Sequence, residues 1–272
     1  MDSMENVQKM NISFVSRISI KVIMIFLVVV MFGNNSVSAK TVYQEGFSYC
    51  KINKSIKERI DGVSYHKNRY ITYRDLRYVE VKYYNYKGKI KNGEMIVNKA
   101  IASDVVKIFY ELYQIKYPIR RIRLVDEYDA DDNKSMAADN TSCFNYRTIA
   151  GSGGSLSMHG LGLAIDINPK INPCVGGAHG IVPDNGKAYA QRDIKKCKGK
   201  YKGCMIHKND KAYNIFKKYG FSWGGNWSNM KDYQHFYKIP EKYKKISKYD
   251  WYETGIYGSG KYGQSVQFRK YI

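Results

Sequence analysis

The chain has 272 residues, a formal net charge of +21, five cysteines, and 14% aromatic residues, among them 26 tyrosines. So large an excess of lysine and arginine points to an anionic partner, and an odd number of cysteines excludes complete disulfide pairing within one chain.

In chain order, Lys9, Arg17 and Lys21 precede an apolar run from Val22 to Phe32 and a small-residue stretch ending at Ala39. A charged head, a short apolar run and an A-x-A-like site describe a secretory leader, and the run is too short for a membrane span. Residues 1–39 are therefore expected to be a signal peptide, with the mature chain starting at Lys40 outside the cytoplasm; an uncleaved signal anchor is the competing reading. An exported chain with no nucleic-acid-binding module meets anionic wall polymers or membranes first, so no nucleic-acid partner is expected. The alternative is that the charge is only a solvated surface.

Residues 40–97 form a basic section crowded with Tyr and Lys. Tyr70 to Arg74 is one such run, and the alternation from Val79 to Tyr83 predicts short strands or an extended edge. From Asn98 to Lys116 the apolar positions Ile101, Val105, Ile108, Phe109, Leu112 and Ile115 recur at helical spacing, with Asn98 as cap and Pro118 past the end. Ile119 to Val125 reads as an amphipathic strand and Asp126 to Asn133 as a solvated acidic turn; Lys134 stands where a calcium loop needs glycine. Residues Lys170 to Gly203 read as a long excursion in which Cys197 and Cys204 are placed to close a short loop. Asn209-Asp210 is expected to cap a helix that Gly220 ends. The tail after Tyr243 shows no periodicity.

The chemistry concentrates in two segments, Ser157-Met158-His159-Gly160-Leu161-Gly162-Leu163-Ala164-Ile165-Asp166 and Trp227-Ser228-Asn229-Met230-Lys231-Asp232-Tyr233-Gln234-His235-Phe236. Two histidines and a carboxylate are the ligand set of a catalytic zinc that leaves one coordination position open to water, and one spare acid remains. Gly160 and Gly162 allow a tight turn after His159. The alternation from Leu163 to Asn168 puts Asp166 on the face opposite Leu163, Ile165 and Ile167. Asp232 and His235, three residues apart, are able to face one site from a turn or a helical turn.

The patterns Ser-x-His-x-x-Gly-x-Ala-x-Asp and Trp-x-x-x-x-Asp-x-x-His-Phe resemble those of the D-alanyl-D-alanine carboxypeptidase and L-alanyl-D-glutamate peptidase family, zinc peptidases that cut bacterial peptidoglycan stem peptides. The resemblance runs from about Asn98 to Tyr237. It implies that His159, Asp166 and His235 bind Zn²⁺ and that Asp232 is the general base and acid. It further implies that Arg147, in Asp139 to Arg147, contacts substrate near the scissile amide; the competing reading of Arg147 is a structural ion pair. Ser157 is assigned to orienting the pocket. Two departures bear on substrate detail: Tyr237 stands where Glu often follows His-Phe, and Cys174 interrupts the stretch after the first motif.

The expected fold is one α+β catalytic domain, residues 98–243, with a small, mainly antiparallel sheet, flanking helices and the zinc site at the sheet. The basic section precedes it and a tail, 244–272, follows. The expected activity is stem-peptide hydrolysis of the D-Ala-D-Ala carboxypeptidase kind. The alternatives are an L-Ala-D-Glu endopeptidase and a non-catalytic wall-binding module with a structural zinc, against which the retained Asp232 argues. The oligomeric state is not legible.

Overall fold

A computed structural model describes residues 39–147, 156–177, 180–228 and 230–244. The leader-like segment up to residue 38 and the tail from 245 lie outside them. Among the described residues no helix is long and apolar enough to cross a membrane.

The basic section forms an antiparallel meander of β1 (Thr41–Gln44), β2 (Phe47–Lys51), β3 (Leu76–Tyr84) and β4 (Ile90–Asn98), after a short helix α1 (Lys54–Ile60) inserted between β2 and β3. As the alternation predicts, Val79, Val81 and Tyr83 are buried while Glu80 and Lys82 lie on the other face. Strands β3 and β4 pair without a break from Leu76 opposite Asn98 to Tyr84 opposite Ile90. Before β3, Tyr73–Asp75 is a 3-10 turn, where Asp75 Oδ2 accepts from the backbone N–H and the hydroxyl of Thr72.

Helix α2 (Ala102–Gln114) lays Val105, Ile108, Phe109 and Leu112 on this sheet. Asn98 is not its cap, because Asn98 ends β4, where its backbone N–H donates to Gly162 O at 2.8 Å. Its side chain donates instead to Leu161 O and Tyr243 Oη, each at 2.8 Å, and the capping position falls to Ile101. The strand expected over Ile119 to Val125 shrinks to β5 (Arg121–Ile122), paired in parallel with β6 (Asn140–Thr141). On either side, side-chain carbonyls take the backbone donors: Arg120 N–H bonds Asn168 Oδ1 and Arg123 N–H bonds Asn140 Oδ1. The acidic turn is more structural than expected, since Asp126 accepts from Ser64 N and Oγ and Asp131 caps helix α3 (Asp132–Ala137). Lys134 Nζ sits 3.0 Å from Asp129, so a cation already occupies the acidic group there.

Beyond this point lie short strands: β7 (Ala164–Asp166), β8 (Cys174–Gly176), β9 (Ile181–Val182), β10 (Ser222–Trp223), β11 (Met230–Asp232) and β12 (His235–Tyr237). They form two antiparallel sheets, ordered β10-β12-β7 and β11-β8-β9. The fold is thus α+β, with its antiparallel strands divided among several small sheets and not gathered in one. Helix α4 (Lys211–Lys218) begins at its expected cap, Asp210, and ends before Gly220, whose φ of 78° suits glycine. Its Phe216 stacks on Phe236 of β12 at 4.0 Å between centroids. A last short helix, α5 (Glu241–Lys244), brings Tyr243 to Asn98. One apolar core joins Phe47, Val79 and Val81 of the meander to Ile165, Phe216 and Phe236. All five cysteines are free thiols, so Cys197 and Cys204 are not bridged; Cys197 donates to Ala188 O.

Candidate metal centre

The ladder between β7 and β12 sets His235 directly opposite Asp166, so their side chains project from one face. His159 arrives from a 3-10 turn, His159–Leu161, closed by Gly162 at φ 66°. A Cβ on Gly162 would lie 2.8 Å from Asn98 N, so only glycine fits this approach to β4. His159 Nε2 lies 3.2 Å from both His235 Nδ1 and an Asp166 oxygen, and His235 Nδ1 lies 3.1 Å from the other Asp166 oxygen. All three residues are buried, and their ligand atoms fall within 4.8 Å of one another.

The donor chemistry fits a metal cation. His159 Nδ1 is 2.6 Å from Cys143 O, a carbonyl that only accepts, so Nδ1 carries the proton and neutral His159 turns the Nε2 lone pair toward the cluster. That lone pair, the His235 Nδ1 atom and a carboxylate then converge on one point, an arrangement that a cation stabilises. Two imidazole nitrogens and a carboxylate oxygen are donors suited to zinc. Without the metal, burial works against ionisation of Asp166, but the two histidines outweigh it and hold its pKa below the usual carboxylate range. Burial opposes the charge on His159 also, yet Asp166 keeps that pKa raised, whereas burial prevails at His235 and lowers it.

Asp232 is not a member of the cluster. It ends β11, opposite Cys174 of β8, and burial together with the nearby Asp166 charge raises its pKa. One of its oxygens, Oδ1, is buried without a hydrogen-bond partner, while the Gln234 side chain bonds the carboxylate. The segment Asp232 to His235 is therefore a turn between strands of two sheets. Gly224 packs beneath it: a Cβ there would lie 2.7 Å from Asp232 O and 2.9 Å from Asp232 Cβ.

Arg147 is ion-paired with Asp132, and its charge reaches His159 and Asp232. With Val63, His66, Asp129 and Tyr146 it lines a cavity of about 460 Å³. Ser157 bonds Arg147 O through its backbone N–H at 3.0 Å and accepts from His159 N–H through its hydroxyl at 3.2 Å. It thus ties the arginine segment to the histidine turn. Sequence reasoning passes over the Cys143 carbonyl, Asp132, Gly224 and Gln234. A backbone carbonyl has no residue signature, and a tight approach at Gly224 has no signal beyond the Gly-Gly pair itself.

A family model described as D-alanyl-D-alanine carboxypeptidase matches residues 150–238. Over residues 150–238 the chain is similar to that family. No curated protein and no solved structure matches the chain. The matched segment holds His159, Asp166, Asp232 and His235, and Arg147 stands three residues before its start. Both departures fall within it: Tyr237 is buried opposite Ala164, and Cys174 is the strand partner of Asp232.

Proposed function

We propose that the protein is a zinc-dependent peptidase that hydrolyses an amide of bacterial peptidoglycan stem peptides, with D-alanyl-D-alanine carboxypeptidase as its activity. The observation that carries this reading is the buried convergence of His159, Asp166 and His235 beside a carboxylate, Asp232, that takes no part in it. A bound zinc supplies an acidified water and a Lewis acid for the scissile carbonyl. Asp232 accepts the proton of the attacking water and returns it to the leaving amine, a role that suits a carboxylate whose pKa burial has raised toward neutrality. The Arg147 guanidinium faces the charge that develops on the carbonyl oxygen or the substrate's terminal carboxylate, and Asp132 orients it. Ser157 keeps the His159 turn in place. The leader-like N-terminus supports work outside the cytoplasm, and the charge of +21 supports attachment to anionic wall polymers.

Mass spectrometry of purified muropeptides after digestion with zinc-loaded protein tests the reading. Loss of a terminal D-alanine is the expected result. Cleavage after the first L-alanine would replace it with the endopeptidase reading, and zinc binding without any cleavage would favour a wall-binding module.

A further inference from the structure

Arg192 takes no part in the chemistry above and stands in the excursion between the two halves of the site. Among the described residues its guanidinium forms no ion pair, and every hydrogen bond it makes ends on a neutral oxygen. One terminal nitrogen donates to Ile171 O at 2.9 Å and Tyr189 O at 3.3 Å, the other to Asn172 Oδ1 at 3.1 Å and Ile206 O at 2.7 Å. The Arg192 Cζ atom lies over the Tyr233 ring, 4.2 Å from its centroid. Burial lowers the Arg192 pKa to about 10, which leaves it charged at neutral pH. A buried cation without a counter-ion is costly, and carbonyl oxygens with a π face are the neutral groups that hold one best.

Three of the groups gathered by Arg192, Ile171 O, Asn172 Oδ1 and the Tyr233 ring, adjoin the two ligand-bearing segments, while Tyr189 and Ile206 lie between them. Ile171 and Asn172 follow Asp166 closely, and Asn172 Nδ2 donates back to Ile167 O at 3.0 Å. Tyr233 directly follows Asp232 and stands two residues before His235, and its carbonyl is held by Trp223 Nε1 at 3.0 Å. We propose that Arg192 is a positioning residue: it clamps the Tyr233-Gln234 turn to the chain leaving β7 and so keeps Asp232 and His235 in place relative to Asp166. This deepens the peptidase reading and rests on it. The planar fork of arginine spans four acceptors and a ring at once, which a lysine ammonium does not.

The test uses the full-length protein with Arg192→Met, Arg192→Lys, Tyr233→Leu and Tyr233→Phe, read by kcat and KM on stem peptide and by zinc release to a chelator. A displacement of about 1 Å at a catalytic group costs up to about 10²-fold, so Arg192→Met and Tyr233→Leu are expected to lower kcat about 10- to 100-fold. KM should stay within about twofold, because the clamp touches no substrate. Both variants should also release zinc faster, and the double variant should be no worse than either single one, since both remove the same contact. Tyr233→Phe, which keeps the ring, should match the wild type, and Arg192→Lys should recover only part of the loss. Folded Arg192→Met with wild-type kcat and zinc release overturns the proposal, as do effects that multiply in the double variant. If Arg192→Met does not fold, the contrast between Tyr233→Leu and Tyr233→Phe decides in the same way. A wild type that binds zinc but cuts no stem peptide defeats the substrate reading alone, and zinc release then still judges Arg192; a wild type that binds no zinc overturns both.

Discussion

His235 and Asp166 are strand partners in the antiparallel β12–β7 pair, and their side chains meet at 3.1 Å. Backbone hydrogen bonds thereby set the spacing of two ligand atoms. A one-residue slip in that register would carry one of them to the opposite face and abolish the cluster. The third member, His159, depends on a bond to Cys143 O that fixes which of its nitrogens is free.

Purified protein should hold close to one zinc per chain, and His159→Ala, Asp166→Ala or His235→Ala should each lose it. Metal analysis checks this. Full zinc in any one variant removes that residue from the ligand set.

Asp232→Ala should retain zinc but lose most turnover, since general acid-base catalysis is worth about 10²–10⁴-fold. Zinc content and kcat measured on the same preparation separate the two effects. Turnover undiminished in this variant would end the assignment of Asp232 as base.

Gly224→Ala places a methyl within 3 Å of the Asp232 backbone and Cβ, so the Asp232 turn must shift. The expected result is a loss of kcat on the order of tenfold in a folded protein, by misplacement of the base. Gly203→Ala, where a Cβ meets nothing within 4 Å, is the control and should leave kcat unchanged. Equal kcat in the two variants would show that the turn absorbs the methyl.

Asp75 gives a pH signature outside the site. Burial raises its pKa, but hydrogen bonds from Lys99 and Thr72 outweigh this and hold it at about 2. Its folded pKa is therefore below the unfolded value of about 3.9, so its contribution is complete above pH 4 and is lost as pH falls toward 2. Asp75→Asn should lower stability near neutral pH by at most about 2 kcal/mol, and the gap to wild type should close between about pH 4 and pH 2. Denaturant midpoints across that range measure it; a constant gap would mean Asp75 acts through packing.

Binding to purified walls should weaken steeply with salt, while hydrolysis of a soluble stem peptide changes little, because exposed charges are screened beyond about 8 Å at physiological ionic strength. Removing the anionic polymers from the walls should have the same effect as salt. Binding indifferent to both would make the charge of +21 a solvated surface only.

What the sequence determined by itself was local. Alternation marks β3, the apolar spacing marks α2, and Asp210 with Gly220 bounds α4, because burial on one face and the capping of terminal groups act over a few residues. The ligand types were legible for a similar reason, since His159 with its glycine turn and Asp166 on an alternating strand are short-range patterns. Tertiary structure decided everything that depends on a distant partner. Asn98 reads as a cap from its neighbours, yet pairing with Leu76 makes it the end of a strand, and its side chain turns to Leu161 O. Ile119 to Val125 reads as a strand, yet the side chains of Asn140 and Asn168 claim its backbone donors. The register of His235 against Asp166 and the contact of Arg192 with Tyr233 join segments 69 and 41 residues apart, and the burial that raises the Asp232 pKa exists only once those segments have packed. Ladder pairing and desolvation are properties of the assembled core, and no stretch of sequence carries them alone.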